Sequence, residues 1–212
     1  MVKEPAGSRW SRRKQARPSE IIDAALDLFV ERGFAATKIE DIAKRAGVTR
    51  GTPYLYFANK EELFKAVIRE GLLPSIATGE ALVRDFDGTG EQLLEAVIHF
   101  MWGAIAKTKL AGIVKLVVAE AGNFPEVATY YYDEVVCRGQ NLVMNALQYG
   151  VERGEFRAMD IDYTMRVVIA PVMMAMIWQH SLGACVNEPF DEQRFLDSYL
   201  GLLRRGLCHR IE

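Results

Sequence analysis

Between positions 37 and 60 the chain carries Thr37, Lys38, Thr49, Arg50, Gly51, Thr52, Tyr54, Tyr56 and Lys60, with no histidine or cysteine among them. Hydroxyls, cations and one bare backbone position suit recognition of a polyanion more than bond-breaking. An arginine can give a bidentate pair to guanine O6 and N7, and a threonine can meet a thymine methyl or a phosphate. Gly51 lets the backbone approach a partner closely. Tyr54 and Tyr56 offer hydroxyls to phosphates and ring edges to sugars, with plain packing as the competing use of each. Thr37 and Lys60 sit at predicted helix starts, where free backbone N–H groups favour phosphate. Lys38 adds charge beside Thr37, or is simply solvated.

Helices must position these groups, because apolar residues recur at helical spacing along the chain and alternating runs are absent. Ile22, Ala25, Leu26 and Phe29 make one stripe, with Ser19 as N-cap and Gly33 as the stop. Thr37 is expected to cap a second helix, in a capping box with Glu40, whose apolar face is Ile39, Ile42, Ala43 and Ala46. Gly47 ends it, and a third helix runs to about Tyr56. At 100° per residue Pro53, Phe57 and Val48 share the inward side, while Gly51, Thr52 and Leu55 face outward beside Arg50 and Tyr54. Proline is tolerated only where a missing donor is cheap. Either Thr49 caps this helix and Pro53 lies in its first turn, the preferred arrangement, or Thr52 caps and Pro53 opens a shorter helix. Asn59 caps the next helix, which Pro74 divides.

Beyond it lie a loop at 87–90, helices at 91–108 and 111–122, a long one from Pro125 to Arg153–Gly154, and two more at 160–183 and 191–208. The expected fold is all-α, about nine helices without a sheet. The most apolar run, VVIAPVMMAMIW at 167–178, is too short and too interrupted by proline to span a bilayer, and is expected to be a buried helix.

Two short helices joined by a glycine-containing turn are a helix-turn-helix signature. The longer stretch ALDLFVERGFAATKIEDIAKRAGVTRGTPYLYFANKEELF resembles the DNA-binding domain of the tetracycline-repressor (TetR) family of bacterial transcription regulators over about residues 19–66. The motif LF…GF..T.I.DIA..AGV..GT.Y.YF..K..L is present at the family's spacing, and AEAGNFPEV before a long helix is similar to C-terminal domains of some members. The family commonly has leucine where this chain has Pro53. The resemblance implies a basic, flexible arm at 1–18, a helix-turn-helix domain at 19–66 and an effector-binding and dimerisation domain at 67–212. It implies a homodimer on double-stranded operator DNA, since one helix in one groove reads too few base pairs. It further implies repression relieved by a small-molecule effector, and no cofactor or metal. Met101, Trp102, Ile105, Tyr131, Val135, Met174 and Trp178 are candidates for an effector cavity suited to an apolar or aromatic ligand. Met173, Phe195, Tyr199, Leu202 and Leu203 are candidates for the interface between copies. For both groups an ordinary intrachain core is the competing use.

Charge agrees with this division. Residues 1–60 hold 12 Lys/Arg against 7 Asp/Glu, and the remainder 14 against 21, as expected when one end meets a polyanion. The arm residues Arg9, Arg12, Arg13, Lys14 and Arg17 contribute much of it, either solvated or reaching an adjacent minor groove. The three scattered cysteines show neither metal spacing nor a disulfide framework, which points to a reducing cytoplasm. No signal peptide and no membrane partner are expected. A regulator without an effector is the alternative. An enzyme is disfavoured, because no nucleophile–histidine–acid set or phosphate loop is found.

Overall fold

A computed structural model describes residues 7–185 and 190–209, with backbone alone for 7–17 and Ala184. The chain divides between Glu70 and Gly71 into two compact units. Among the described residues every regular element is a helix, apart from one isolated bridge between Phe156 and Cys208.

The N-terminal unit holds α1 (Gly7–Arg32), α2 (Ile39–Arg45), a 3₁₀ turn (Pro53–Leu55) and most of α3 (Lys60–Gly71). Its core is Ile21, Ala25, Leu28 and Ile42 around an aromatic trio. Phe29, Phe34 and Phe64 lie with ring centroids 5.2–5.3 Å apart, two of the three pairs edge-on, a geometry that suits the ring quadrupoles. Gly33 and Gly47 take φ of 85° and 68°, the left-handed stop that spares a side-chain clash at a helix end. Asn59 Oδ1 accepts the Glu62 N–H at 2.7 Å and caps α3 as expected.

Three expectations fail here. Ser19 is not the N-cap of α1, because that helix already begins at Gly7 and runs through Pro18. The segment expected to be a flexible basic arm is Arg, Lys, Gln and Ala in large part, all good helix formers, so its charge does not exclude helix. Residues 1–6 of that arm lie outside the described residues. Thr37 does not cap α2. Its N-cap is Lys38, without a side-chain bond, and Thr37 turns inward instead. The third helix shrinks to one 3₁₀ turn with Thr52 before it and Pro53 at its start, the shorter of the two alternatives. Without an N–H, Pro53 cannot continue a ladder from Thr49. The bonds run Thr52 N–H to Thr49 O, then Leu55 N–H to Thr52 O and Phe57 N–H to Pro53 O.

The C-terminal unit holds α4 (Leu73–Arg84), α5 (Gly90–Met101), α6 (Ala111–Glu120), α7 (Pro125–Tyr131), α8 (Cys137–Glu152), α9 (Ile161–Gln179) and α10 (Glu192–Leu207). Pro74 opens α4 and divides it from α3, as its missing donor requires. Thr89 and Gln92 form a capping box on α5. A π turn, Trp102–Ala106, extends α5, and another, Tyr132–Val136, joins α7 to α8 in one continuous helix. Helix α8 lies against α4, α5 and α9. Its crossing with α5 is close at Gly90 and Gly150, where a Cβ on Gly90 would fall 2.5 Å from the Gly150 Cα. Asp160 and Asp191 cap α9 and α10, and the Tyr199 hydroxyl on α10 donates to the Val168 carbonyl on α9.

Helix α9 is not buried all round. Val168, Val172, Ala175 and Met176 face the core, while Tyr163, Val167, Ala170, Met174 and Trp178 are exposed. By length and a mean hydropathy of 1.4 it could cross a bilayer, though only one side of it is covered.

Candidate nucleic-acid interface and ligand cavity

The turn between α2 and α3 presents a compact set of exposed groups. Arg50, Gly51, Tyr54, Leu55 and Tyr56 are all exposed, Leu55 to 78%. Pro53 is buried and Phe57 half-buried beneath them, so the proline does point inward. An added Cβ on Gly51 would meet nothing within 4 Å, so the backbone there stands free of its own unit. The Arg50 guanidinium pairs with the Glu40 carboxylate of α2 at 2.8 Å while its side chain stays 79% exposed. The backbone bond at Glu40 and the bond from Arg50 hold that carboxyl below its usual range. Lys38 is exposed at the start of α2.

Three of the expected contacts are placed otherwise. Thr52 is only 9% exposed, and its hydroxyl lies 2.8 Å from that of Thr49, so Thr52 closes the turn instead of facing outward, while Thr49 beside it stays exposed. Thr37 is 1% exposed and donates to the Gly33 and Leu28 carbonyls at 2.7 and 3.1 Å. Lys60 reaches back over the same segment. Its ammonium donates to the carbonyls of Phe34, Ala35 and Thr37 at 2.7, 3.3 and 3.1 Å and sits 4.5 Å from the Phe34 ring centre. A buried carbonyl left without a donor is costly. Thr37 and Lys60 therefore hold the loop after α1, and their cation and hydroxyl are spent within the unit. Leu55 is absent from the expected contacts because an apolar residue carries no polar chemistry, although the helical wheel places it outward.

The C-terminal unit encloses a cavity of about 230 Å³. Met101, Ile105, Tyr131 and Val135, four of the seven cavity candidates, share its wall. The other three do not. Trp102 is 2% exposed and stacks with Phe190 and Phe195 at 5.9 and 5.3 Å, inside the core. Met174 and Trp178 lie on the open face of α9. Sequence periodicity missed the rest of the wall, which includes Ile76, Phe100, Val136, Gly139 and Met176 from α4, α5, the second π turn, α8 and α9, and the polar Ser75 and Gln140. The two π turns that frame the cavity contribute Ile105 and Val135, and such turns recur at functional sites. The wall carries no ionisable group except Tyr131, whose phenol burial pushes far above its usual pKa.

The interface candidates also divide. Met173 lines the cavity, Phe195 and Tyr199 stack within the chain at 5.9 Å, and Leu203 packs on the core. Leu202 alone of the five is largely exposed.

Comparison with known proteins agrees with both halves. Residues 21–67 match the N-terminal model of the bacterial regulatory proteins of the tetR family. Residues 91–196 match the C-terminal domain of AefR-like transcriptional repressors. The chain is 28% identical over 199 residues to the HTH-type transcriptional repressor KstR2 of Rhodococcus jostii, covering 92% of this chain and 93% of that protein. It is 27% identical to the fatty acid metabolism regulator protein of Bacillus subtilis, over 93% of this chain and all of that one. Among solved structures, FadR of Bacillus subtilis in complex with stearoyl-CoA superposes with a TM-score of 0.74 at 24% identity, over 89% of this chain and 98% of that one. A motif-bearing exposed turn, a second unit of helices and two family matches that together span most of the sequence lead to one assignment: the chain belongs to the tetR family of bacterial regulatory proteins.

Proposed function

We propose that this regulator is a dimeric repressor whose grip on its operator is released when a largely apolar small molecule fills the C-terminal cavity. The observation that carries this is the cavity itself, a hollow of about 230 Å³ lined mostly by apolar side chains beside the core of the second unit. Native interiors rarely leave such volumes empty, because each void forfeits contacts. The FadR relative was solved with stearoyl-CoA, which supports a ligand-holding role for this second unit. Arg50, Gly51, Tyr54, Leu55 and Tyr56 read the major groove, with Lys38 on the phosphates. Arg50 supplies the guanine contact and Leu55 an apolar surface.

Two copies join through the open side of α9, where Tyr163, Val167, Ala170, Met174 and Trp178 follow each other at helical spacing. An apolar stripe of this length left in water marks an interaction surface, and a two-fold pair supplies the second half-site. Met174→Arg is expected to yield a monomer at micromolar concentration by light scattering, with operator binding lost. A dimer that persists in that variant moves the interface elsewhere.

Ligand binding favours a dimer whose reading turns no longer match the half-site spacing, a population shift that must pass along the chain from α4 into α3. Operator duplex selected from random sequence, titrated with cavity ligands under fluorescence anisotropy, tests this. Ligand that fills the cavity without altering operator affinity would leave a regulator that needs no effector. The work is expected in the cytoplasm, where the operator lies.

A further inference from the structure

The ion pairs around α2 differ in what they connect. Arg32–Asp41 at 3.4 Å and Arg45–Glu31 at 2.5 Å run between α1 and α2. The pair between Arg50 and Glu40 runs instead from α2 to the exposed turn, with the arginine Nη2 donating to the glutamate Oε1 at 2.8 Å. Glu40 lies in the first turn of α2 with its side chain 36% exposed, while the arginine it holds is 79% exposed. The carboxyl is held below its usual range, first by its backbone bond and then by Arg50, so it stays charged at neutral pH. An exposed pair of this kind adds little to stability. It does fix a direction. One of the five N–H donors of the guanidinium is engaged, and a two-pronged edge remains open for an acceptor pair.

We propose that Glu40 is a positioning residue for base reading: its carboxylate aims the Arg50 guanidinium at guanine and holds it off the phosphates, lowering general affinity for DNA while raising sequence discrimination. The inference rests on the base-reading role given to Arg50 above. A free arginine can meet a phosphate oxygen in many orientations, and such a contact carries no sequence information. Guanine O6 and N7 accept only from two parallel donors in the plane of the base. An arginine already held by Glu40 loses less side-chain freedom on docking there. The carboxylate also repels the phosphates that would otherwise draw the cation aside. Asp41 carries the same charge on the next residue of α2, but it pairs with Arg32 on α1. Charge near the turn and contact with Arg50 are therefore separable.

The test measures binding of the full chain by fluorescence anisotropy to three duplexes over a range of salt. They are the operator selected from random sequence, the same operator with the base pair sensitive to Arg50→Ala exchanged in both half-sites, and a random duplex. Glu40→Gln is expected to lower discrimination between the first two by roughly 10-fold. It should also tighten binding to the random duplex several-fold and steepen its salt dependence, as the freed cation turns to phosphate. Asp41→Asn should tighten random binding as well, yet leave discrimination unchanged. In the Arg50→Ala background, Glu40→Gln should change discrimination no further. Unaltered discrimination in Glu40→Gln overturns the inference and leaves the Arg50 reading intact. Equal losses in Glu40→Gln and Asp41→Asn would reduce the effect to charge and overturn the positioning role. Discrimination that survives Arg50→Ala at every base pair removes the Arg50 reading and this inference together.

Discussion

In the N-terminal unit the turn that presents Arg50 is closed by the Thr49–Thr52 hydroxyl pair, and the loop after α1 is tied down by Thr37 and Lys60. In the C-terminal unit the cavity wall contains Gly139, the methionines Met101, Met173 and Met176, and residues of two π turns. One region satisfies its loop polar groups internally and leaves a few side chains outward for a partner of fixed geometry. The other leaves space inward, lined by flexible side chains that can repack. DNA presents the same groove spacing at every site, so rigidity serves its reader. A ligand that must shift a dimer between two arrangements needs a wall able to move.

Equal truncations should therefore cost unequally. Phe64→Ala, which opens the aromatic trio, is expected to destabilise the N-terminal unit by about 3–5 kcal/mol. Phe100→Ala, on a wall that already borders empty space, should cost about half as much, because fewer contacts are lost. Chemical denaturation of each variant checks this, and equal losses would break the contrast between the two regions.

Lys60→Met comes next, with an expected loss of about 2 kcal/mol, since three carbonyls lose a charged donor. Its salt dependence of operator binding should match that of the unaltered chain, because the ammonium is turned toward its own loop. A flatter salt slope would return Lys60 to the phosphates. Arg50→Ala should leave stability almost unchanged and cost about 1–3 kcal/mol of operator binding, confined to one base pair per half-site. Uniform weakening across sequences would make Arg50 a phosphate contact.

Gly139 sharpens the other side. It is buried on α8, and an added Cβ there meets nothing within 4 Å. Gly139→Ala is expected to raise stability by about 0.5–1 kcal/mol by restricting the unfolded chain, while Gly139→Leu should fill the cavity and abolish ligand binding with operator binding retained. Thermal melts and operator titrations of the two variants separate these outcomes.

The smallest effect is electrostatic. The bond from Arg138 holds the Glu80 carboxyl below its usual range, as its backbone and Arg50 do for Glu40. A depressed carboxyl contributes stability above its unfolded pKa and loses it as pH falls through the folded value. Both contributions should be intact at neutral pH and vanish only below about pH 4.5. Because the groups are well exposed, Glu80→Gln should shift the acid melting profile only slightly.

The helix-turn-helix was legible because its glycine stops and apolar spacing are local, and local signals survive without tertiary context. Pro53 could be placed inward on angle alone. Thr37 and Lys60 could not be placed, since capping and tying a distant carbonyl look identical in sequence. Their partners lie 4 to 26 positions away. In the second unit, period alone could not tell which side of an all-apolar helix faces a cavity, a core or a second copy. Met173 and Met174 are adjacent, yet one lines the cavity and the other faces outward. The π turns, which reset the helical register at Trp102 and Tyr132, leave no local mark on composition.

The central claim is coupling between cavity and operator, and linkage makes it measurable from both ends. Affinity of an apolar ligand that fills the cavity should be determined for the free regulator and for the regulator saturated with operator duplex, together with operator affinity with and without that ligand. The account requires operator to weaken the ligand and ligand to weaken operator by the same factor, at least 5-fold for a typical coupling of 1–3 kcal/mol. Ligand affinity that is identical in the free and operator-bound regulator would contradict it.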